Sequence, residues 1–333
     1  MAADRITLER RAEIIRAIRG WFCNQGFLEL ETPLLLPAPD QEPSLNILTS
    51  ELTDPRTNLR REAYLATSPE YNHKKLLGKG IYNTFEITKS FRDGESWGDL
   101  HNPEFTILEW YRTPADYTKL MHDCEALISY VINVCHPELD SGSSPTRGWP
   151  RLTIIELFKQ YCDADITAYN DADWRALIDR LGLPGAPADS LSDIFYRIFL
   201  NRIEPELAKM ETPIFVLDYP TFQASLARRK KDNPNFAERF ELYAGGLELG
   251  NAFSELLDAK EQRSRLEDQH AYREQHGLPV LPIDESFLKA LEADIPETAG
   301  IALGVDRLIM WLLNIERIED VLALPAAELF DKT

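Results

Sequence analysis

Two predicted hairpins constrain the fold of this 333-residue chain more than any other feature. Residues 82–92 and 104–111 alternate apolar and polar side chains at period two, which is typical of β-strands. The turn-rich sequence RDGESWGDLHNP separates them and predicts a hairpin with a long loop. A second hairpin is predicted at FELYAGGLELGNAF, where Gly245 and Gly246 suit a tight turn.

Helices are predicted around these hairpins. An apolar stripe with spacings of three and four residues opens the chain and consists of Leu8, Ala12, Ile15, Ile18 and Phe22. Thr7 is the predicted N-cap of that helix, and Gly26 follows the end of the pattern. The region from about 152 to 210 is predicted to be mostly helical. The end, GIALGVDRLIMWLL, predicts a short strand, a glycine turn and a buried helix. Helices combined with antiparallel hairpins indicate an α+β fold.

The composition narrows the class of protein. Lys and Arg number 36 against 55 Asp and Glu, so the net charge of −19 argues against a surface built for non-specific nucleic-acid binding. No apolar run approaches the roughly 18 residues that span a bilayer, and the N-terminus lacks the apolar stretch of a signal peptide. The four cysteines lie far apart with no C-x-x-C pair. We expect a cytoplasmic protein with reduced thiols and no membrane contact.

Common nucleotide-binding and catalytic motifs are absent from the sequence. It contains no P-loop, no G-x-G-x-x-G, no H-E-x-x-H and no G-x-S-x-G. A nucleotide, if one is used, must therefore bind in another way.

Carboxylates within predicted strands stand out instead. Glu109 and Tyr111 share one strand face with Phe105 and Ile107, and a buried carboxylate requires a partner. That partner is either an internal Arg or Lys or a cationic ligand bound in a cleft.

The second hairpin repeats this feature. If Gly245 and Gly246 form the turn, Tyr243 pairs with Glu248, and Glu241 lies two residues along the same face. Two such carboxylates can share a divalent cation, or they can belong to an exposed acidic face.

Two arginines suit an anionic ligand. Arg307 lies in the first turn of the predicted last helix, where a helix N-terminus and a guanidinium together favour a phosphate oxygen. Arg92 ends a predicted strand and is a second candidate for the same role.

Five ordered motifs give the chain a family resemblance. SPEY (68–71), SFR (90–92), HNPEFTILEWY (101–111), LELGNAFSEL (247–256) and GIALGVDRL (300–308) together resemble the catalytic core of class II lysyl-tRNA synthetases. GFLELETP (26–33) resembles the class II motif at the dimer interface and implies a homodimer. The resemblance implies an α+β core with an antiparallel sheet flanked by helices. It covers nearly the whole chain as one catalytic domain, residues 1–333, with a helical insertion at about 152–210.

The length before the first motif indicates the subgroup. Only about 25 residues precede it, too few for the anticodon-binding barrel of the bacterial synthetases. The chain thus resembles the stand-alone paralogues that attach (R)-β-lysine to translation elongation factor P instead of charging tRNA. Ser68 stands where the synthetases usually have Ala, and Ala302 where they usually have Gly. QASLA (223–227) also resembles the paralogues rather than the synthetases.

The resemblance implies a role for each matching residue. Arg92 and Arg307 are the implied catalytic residues, and Glu241 and Glu248 the implied Mg²⁺ ligands. The implied ATP-binding residues are Arg92, Glu95, His101, Asn102, Phe105, Glu241, Glu248, Leu249, Gly304 and Arg307. The implied pocket for (R)-β-lysine or lysine consists of Ser68, Glu70, Glu109, Tyr111, Asn251, Glu255 and Ala302.

Two departures from the family pattern lie in one loop. One residue is inserted in the usual F-R-N-E sequence, so Glu95 takes the implied adenine contact. Asp99 stands where many relatives have Arg.

Two other functions stay open on the sequence alone. One is activation of L-lysine for a different acceptor such as tRNA, which the acidic composition disfavours. The other is a non-catalytic paralogue that regulates a partner, although Arg92, Glu241, Glu248 and Arg307 are all present.

Overall fold

Eleven strands and eleven α-helices occur in the computed structural model, which describes residues 2–41, 45–135 and 148–330. The strands are β1 (Leu28–Glu29), β2 (Leu35–Leu36), β3 (Thr49–Asp54), β4 (Leu59–Leu65), β5 (Thr84–Phe91), β6 (Glu104–Arg112), β7 (Arg151–Thr153), β8 (Ile214–Leu217), β9 (Arg239–Ala244), β10 (Leu247–Ser254) and β11 (Ala299–Gly304).

The helices flank these strands. They are α1 (Arg5–Asn24), α2 (Glu70–Leu77), α3 (Tyr117–Cys135), α4 (Ile154–Cys162), α5 (Asp171–Arg180), α6 (Leu191–Ile198), α7 (Glu204–Leu207), α8 (Ala259–Gln275), α9 (Glu285–Leu291), α10 (Val305–Leu313) and α11 (Ala326–Phe330). A π-helical turn, Phe199–Ile203, joins α6 to α7.

One large sheet organises the chain. Its eight strands lie in the order β1-β5-β6-β11-β10-β9-β8-β7, and β2, β4 and β3 form a separate three-stranded sheet. In this order, the five consecutive pairs between β5 and β8 are antiparallel. The pairs β1–β5 and β8–β7, at the two edges of the sheet, are parallel. The predicted α+β class with a sheet flanked by helices is confirmed, with a parallel pair at each edge as an addition.

Both predicted hairpins are confirmed. Strands β5 and β6 pair antiparallel, as do β9 and β10. Gly245 and Gly246 form the tight turn with φ of +57° and +79°, a region that favours glycine. The small sheet was not predicted, because its strands β3 and β4 are mostly exposed and carry no apolar alternation.

Two local predictions need correction, and a third is tested only in part. The N-cap of α1 is Asp4, whose carboxylate accepts from the Thr7 N–H at 2.8 Å, so Thr7 lies inside the helix. No separate turn precedes α10, since Gly304 ends β11 and is itself the N-cap. The predicted connection 140–150 falls mostly outside the described residues, whereas 183–190 does connect α5 to α6.

The face of the sheet that packs on α1, α3 and α10 forms the main core. Phe22 of α1 stacks on Phe85 of β5 with ring centroids 4.5 Å apart. Leu108 and Trp110 of β6 are fully buried on the same face. The opposite face of β6 therefore carries the alternate residues, including Phe105 and Glu109, away from this core.

A buried ion pair fixes the position of α10. Asp306 in its first turn lies 2.6 Å from Arg11 of α1, and their side chains are 3% and 14% exposed. The second carboxylate oxygen accepts from the backbone N–H of Thr106 at 2.7 Å. Helix α10 is thereby held to both α1 and β6.

Among the described residues, no helix combines the length and apolar character that crossing a membrane requires.

This ion pair gives a stability prediction. Arg11→Met leaves the Asp306 carboxylate buried without its cation, which should lower the free energy of unfolding by roughly 3 kcal/mol. The measurement is urea unfolding, and Arg10→Met is the control because its pair with Glu13 is exposed on both sides. The control should change stability by less than about 0.5 kcal/mol. Equal urea midpoints for both variants would contradict the prediction.

Candidate active site

A cavity of about 460 Å³ opens on the sheet face opposite the main core. Residues from β6, β9, β10 and β11 line its floor, with Arg92 directly after β5, and α6, the π-helical turn and α7 line one wall. Every residue predicted for the site lines this cavity except Glu255: Ser68, Glu70, Arg92, Glu95, His101, Asn102, Phe105, Glu109, Tyr111, Glu241, Glu248, Leu249, Asn251, Ala302, Gly304 and Arg307. Segments far apart in sequence thus meet at one site.

A bulge in β10 shapes the floor. Tyr243 pairs with Glu248 as predicted, but the register then shifts, and Glu241 pairs with Asn251 instead of Gly250. One extra residue in β10 lets Glu248 and Asn251, three positions apart, both face the cavity. Strict alternation would have turned one of them into the core.

Buried carboxyl groups dominate one end of the cavity, which we call the acidic end (Glu70, Glu109 and the adjoining Glu255). Glu109 is 1% exposed, and its two oxygens accept from Ser68 Oγ at 2.5 Å and Tyr111 Oη at 3.1 Å. Burial raises the pKa of Glu109 well above its usual range, and Glu70 adds to that shift. The environment of Glu109 therefore favours a bound cation.

Glu255 lies behind the cavity wall. Its Oε2 is 2.6 Å from the Nζ atom of Lys74, and that nitrogen is also 2.5 Å from Glu70 Oε1. The sequence reasoning missed Lys74, which sits in the SPEYNHKK segment four residues after Glu70 on α2. A lysine on the turn after a cavity carboxylate, at helical i,i+4 spacing, was the available signal.

A second set of charges surrounds Glu241. Its oxygens accept from Arg239 Nη2 at 2.6 Å, Tyr219 Oη at 2.5 Å and Tyr243 Oη at 2.7 Å. Arg239 also donates to Asn251 Oδ1 at 3.0 Å. Arg239 and Tyr243 line the cavity but were not predicted, although Arg239 stands two residues before Glu241 on the same strand face.

Glu248 is the more available of the two predicted metal ligands. Its side chain faces the cavity and is 39% exposed, and its carboxylate is 3.8 Å from Arg307 Nη1. The enclosure of the cavity and the nearby Glu241 raise the pKa of Glu248 to about 7. An added cation would offset this repulsion, so Glu241 and Glu248 fit a divalent ion. Within the described residues no three His, Cys, Asp or Glu side chains form a metal-binding group. Such an ion would need further oxygen ligands from a bound phosphate.

Arg307 lies in the first turn of α10, at what we call the basic end (Arg92, His101 and Arg307). It donates to the Glu248 carbonyl at 3.0 Å and lies 3.0 Å from His101 Nε2. Glu95 is 3.3 Å from the same His101 nitrogen. Burial and Arg307 lower the pKa of His101 despite Glu95, so the imidazole is neutral near pH 7.

Arg92 completes the basic end. Its guanidinium carbon is 5.1 Å from the centroid of the Phe105 ring, and its buried Nε has no hydrogen-bond partner among the described residues. A polar atom in that position favours an anionic ligand. Because Phe105 already contacts Arg92, an adenine stacked on Phe105 would share the ring with the guanidinium.

Other predicted residues have additional contacts. The amide of Asn102 donates to the Glu104 carbonyl at 2.6 Å and accepts from the Ala326 N–H at 2.9 Å, so it anchors α11. Leu249 is 1% exposed and packs in the main core, which leaves its backbone for ligand contacts. Ala302 on β11 pairs with Glu109 of β6 and with Asn251 of β10.

The loop in which the sequence departs twice from the family pattern is held by Glu319, which lies outside the cavity. Glu95 lines the cavity, as expected for an adenine contact. Asp99 adopts a left-handed φ of 52°, and its N–H donates to Glu319 Oε2 at 3.0 Å. A Cβ at Gly98 would approach the same Glu319 oxygen to 2.6 Å. Asp99 itself does not line the cavity.

Comparison with known proteins establishes the class. A family model described as tRNA synthetases class II (D, K and N) matches residues 3–328. The chain belongs to this class II synthetase family, and the predicted resemblance is confirmed.

Individual relatives carry a more specific name than the family as a whole. The chain is 38% identical over 326 residues to the elongation factor P–(R)-beta-lysine ligase of Proteus mirabilis, covering 97% of this chain and 96% of the relative. The ligases of the same name from Pectobacterium carotovorum and Edwardsiella ictaluri are each 38% identical, covering 97% and 95% of this chain and 95% and 94% of theirs.

Proposed function

We propose that this protein is an ATP-dependent ligase that activates (R)-β-lysine as an adenylate and transfers it to a lysine ε-amine of elongation factor P. The names of its relatives support this function. The observation that carries it is a cavity with buried carboxyl groups at one end and Arg92 and Arg307 at the other. The acidic end suits ammonium groups, and the basic end suits carboxylate and phosphate oxygens.

The first step is an in-line displacement at phosphorus. A carboxylate oxygen of the amino acid attacks the α-phosphorus of ATP, a new C–O–P linkage forms, and the bond to pyrophosphate breaks. Arg92 binds the amino-acid carboxylate and the α-phosphate, while Arg307 and His101 bind the outer phosphates. The protein contributes positioning and charge stabilisation and forms no covalent intermediate.

The second step is acyl transfer. The neutral ε-amine of the acceptor lysine attacks the adenylate carbonyl, an amide bond forms, AMP leaves, and the attacking nitrogen loses a proton. Glu109, Tyr111 and Glu255 surround the side-chain ammonium of the substrate, and Glu70 and Asn251 complete the pocket. Ser68 and Ala302 shape the space around the other amino group. This fixes the reacting carbonyl between the two ends of the cavity.

Mg²⁺ belongs to this proposal, with Glu241 and Glu248 as its protein ligands. The ion would neutralise charge on the pyrophosphate leaving group.

We further propose that residues 1–333 act as one catalytic domain with a helical insertion at about 152–210. In this proposal the protein is a homodimer in the cytoplasm and does not use tRNA as a partner.

The test is ATP–pyrophosphate exchange on purified protein, with (R)-β-lysine and L-lysine in parallel. Faster exchange with (R)-β-lysine, followed by a mass increase of elongation factor P equal to one lysyl residue, is the expected result. Preference for L-lysine would overturn the substrate assignment and point to another acceptor such as tRNA. Folded protein that exchanges with neither amino acid would indicate a non-catalytic paralogue.

Arg307→Ala should lower the rate of exchange by about 10²–10³-fold, since it removes a guanidinium from the charge that develops on the phosphates. Arg263→Ala is the matched control, because Arg263 forms an exposed ion pair with Glu285 on the protein surface. The control should retain the wild-type rate, and both variants should keep the wild-type melting temperature. A near-normal rate in Arg307→Ala would remove this residue from the catalytic machinery.

Ala302→Gly should shift the preference towards L-lysine by about tenfold in the ratio of kcat/KM values, the usual effect of one methyl group in a pocket. Ala302 is opposite Glu109 in the sheet, so its methyl group limits the space beside the acidic end. Exchange kinetics with both amino acids give the ratio. An unchanged ratio would show that Ala302 does not determine selectivity.

A further inference from the structure

A fully buried lysine adjoins the acidic end of the cavity. Lys74 has 0% exposure, and its Nζ lies 2.5 Å from Glu70 Oε1 and 2.6 Å from Glu255 Oε2. The rings of Phe253 and Phe287 lie 5.2 and 5.9 Å from the same nitrogen. Burial alone would lower the pKa of Lys74, but Glu255 and Glu70 outweigh burial and raise it. The two carboxylates therefore stabilise the charged form of Lys74.

Both partners of Lys74 reach the cavity wall. Glu70 lines the cavity, and Glu255 lies behind Gly300, which also lines it. A Cβ added at Gly300 would come within 2.5 Å of Glu255 Oε1, so only a glycine lets this oxygen approach so closely. Glu255 Oε1 is buried and has no hydrogen-bond partner among the described residues. Lys74 thus contacts one carboxylate in the cavity wall and another directly behind it.

The charges of this region can be counted. Glu70, Glu109 and Glu255 are three carboxyl groups, and Lys74 offsets one of them. Asp40 adds a fourth carboxyl group near Glu109, so the acidic end holds more carboxyl groups than Lys74 alone can neutralise and suits a ligand that carries ammonium groups. Without Lys74, three carboxyl groups would crowd one end of a buried cavity, and burial would keep at least one of them protonated.

We propose that Lys74 is a positioning and specificity-determining residue: its ammonium favours the ionised forms of Glu70 and Glu255 and holds both side chains in place, so that the acidic end binds the ammonium groups of a diamino acid. This inference rests on the proposed function, because it concerns the amino-acid pocket of that reaction. Lys74 acts through the two carboxylates and has no contact with the reacting atoms.

The sign of the pH effect follows from the groups that face this cluster. They are Glu70 on α2, Glu255 after β10, Glu109 and Tyr111 on β6, Asp40 near Glu109, and His73, which stacks on Tyr111. Burial and Glu70 raise the pKa of Glu255, and Lys74 opposes them. Removing Lys74 therefore raises this pKa further. The carboxyl group must then lose a proton before it binds an ammonium group, so substrate affinity should improve as pH rises towards that pKa.

The experiment compares Lys74→Met, Lys74→Arg and Lys75→Met. Lys75 is the next residue on α2 and pairs with Asp284 at 2.5 Å, so it tests the loss of a partly buried ion pair that does not touch the cavity. The readouts are the KM for (R)-β-lysine in exchange assays from pH 6.5 to 8.5, the protons released on substrate binding by calorimetry in two buffers, and the melting temperature.

We expect the KM of Lys74→Met to rise on the order of tenfold at pH 7 and the excess to shrink towards pH 8.5, which corresponds to a shift of about one pKa unit. This variant should also release more protons per bound substrate than the wild type. Lys74→Arg keeps the charge and should keep the wild-type pH profile even if its KM changes. Lys75→Met should match the wild type in KM and in its pH dependence.

Two results would overturn the inference. One is a wild-type KM in Lys74→Met at every pH. The other is a lower melting temperature with a pH-independent loss of activity, which would assign Lys74 a structural role only. If Lys74→Met does not fold, a pH profile of Lys74→Arg that differs from the wild type would equally count against it. Failure of the proposed function is distinguishable, because the wild type itself would then show no exchange with either amino acid.

Discussion

Charge balance in a buried sheet is the constraint on which the rest of this site depends. Carboxylates project from β6, β9 and β10 into a cavity where their desolvation is costly, and each one has a cation or hydroxyl partner supplied by another element. Glu241 is held by Arg239 and two tyrosines, and Glu255 by Lys74. The sheet can present these groups because α2, α10 and Tyr219, just after β8, bring partners to the same place.

The distribution of the partners gives the cavity two chemically different ends. At the basic end, Arg92 and Arg307 have few competing carboxylates, so their guanidinium groups remain available to anions. At the acidic end, the Lys74 ammonium contacts both Glu70 and Glu255. The chain is strongly acidic overall, yet its functional surface is divided into opposite signs over the length of one cavity. The net charge of the chain therefore does not indicate how charge is distributed within the cavity.

The sequence allowed the hairpins, the class of fold and half of the residues that line the cavity to be predicted, for identifiable reasons. Alternation at period two and a Gly-Gly turn are local signals, and they fixed β5, β6, β9 and β10. The bulge in β10 has no local signal, and Asn251 was assigned to the site only through the family resemblance. Lys74 was missed because its importance comes from Glu255, which is 181 positions away in sequence and joins it only after folding. The exposed strands β3 and β4 lacked the apolar alternation on which strand prediction relies.

The support behind Tyr111 shows how far the site depends on distant segments. The N–H of Thr32, within the segment that resembles the family's dimer motif, donates to buried Glu86 at 2.8 Å. Glu86 lies 3.3 Å from His73 Nε2, and the His73 ring stacks on Tyr111 with centroids 4.8 Å apart. Tyr111 in turn donates to Glu109. A continuous series of contacts thus runs from the segment after β1 to the acidic end and holds the Glu109 carboxyl group in place. A side chain that lacks an ammonium group would leave this fixed carboxylate buried without a cation, and such unpaired polar groups reject a ligand far more strongly than a small misfit in shape does.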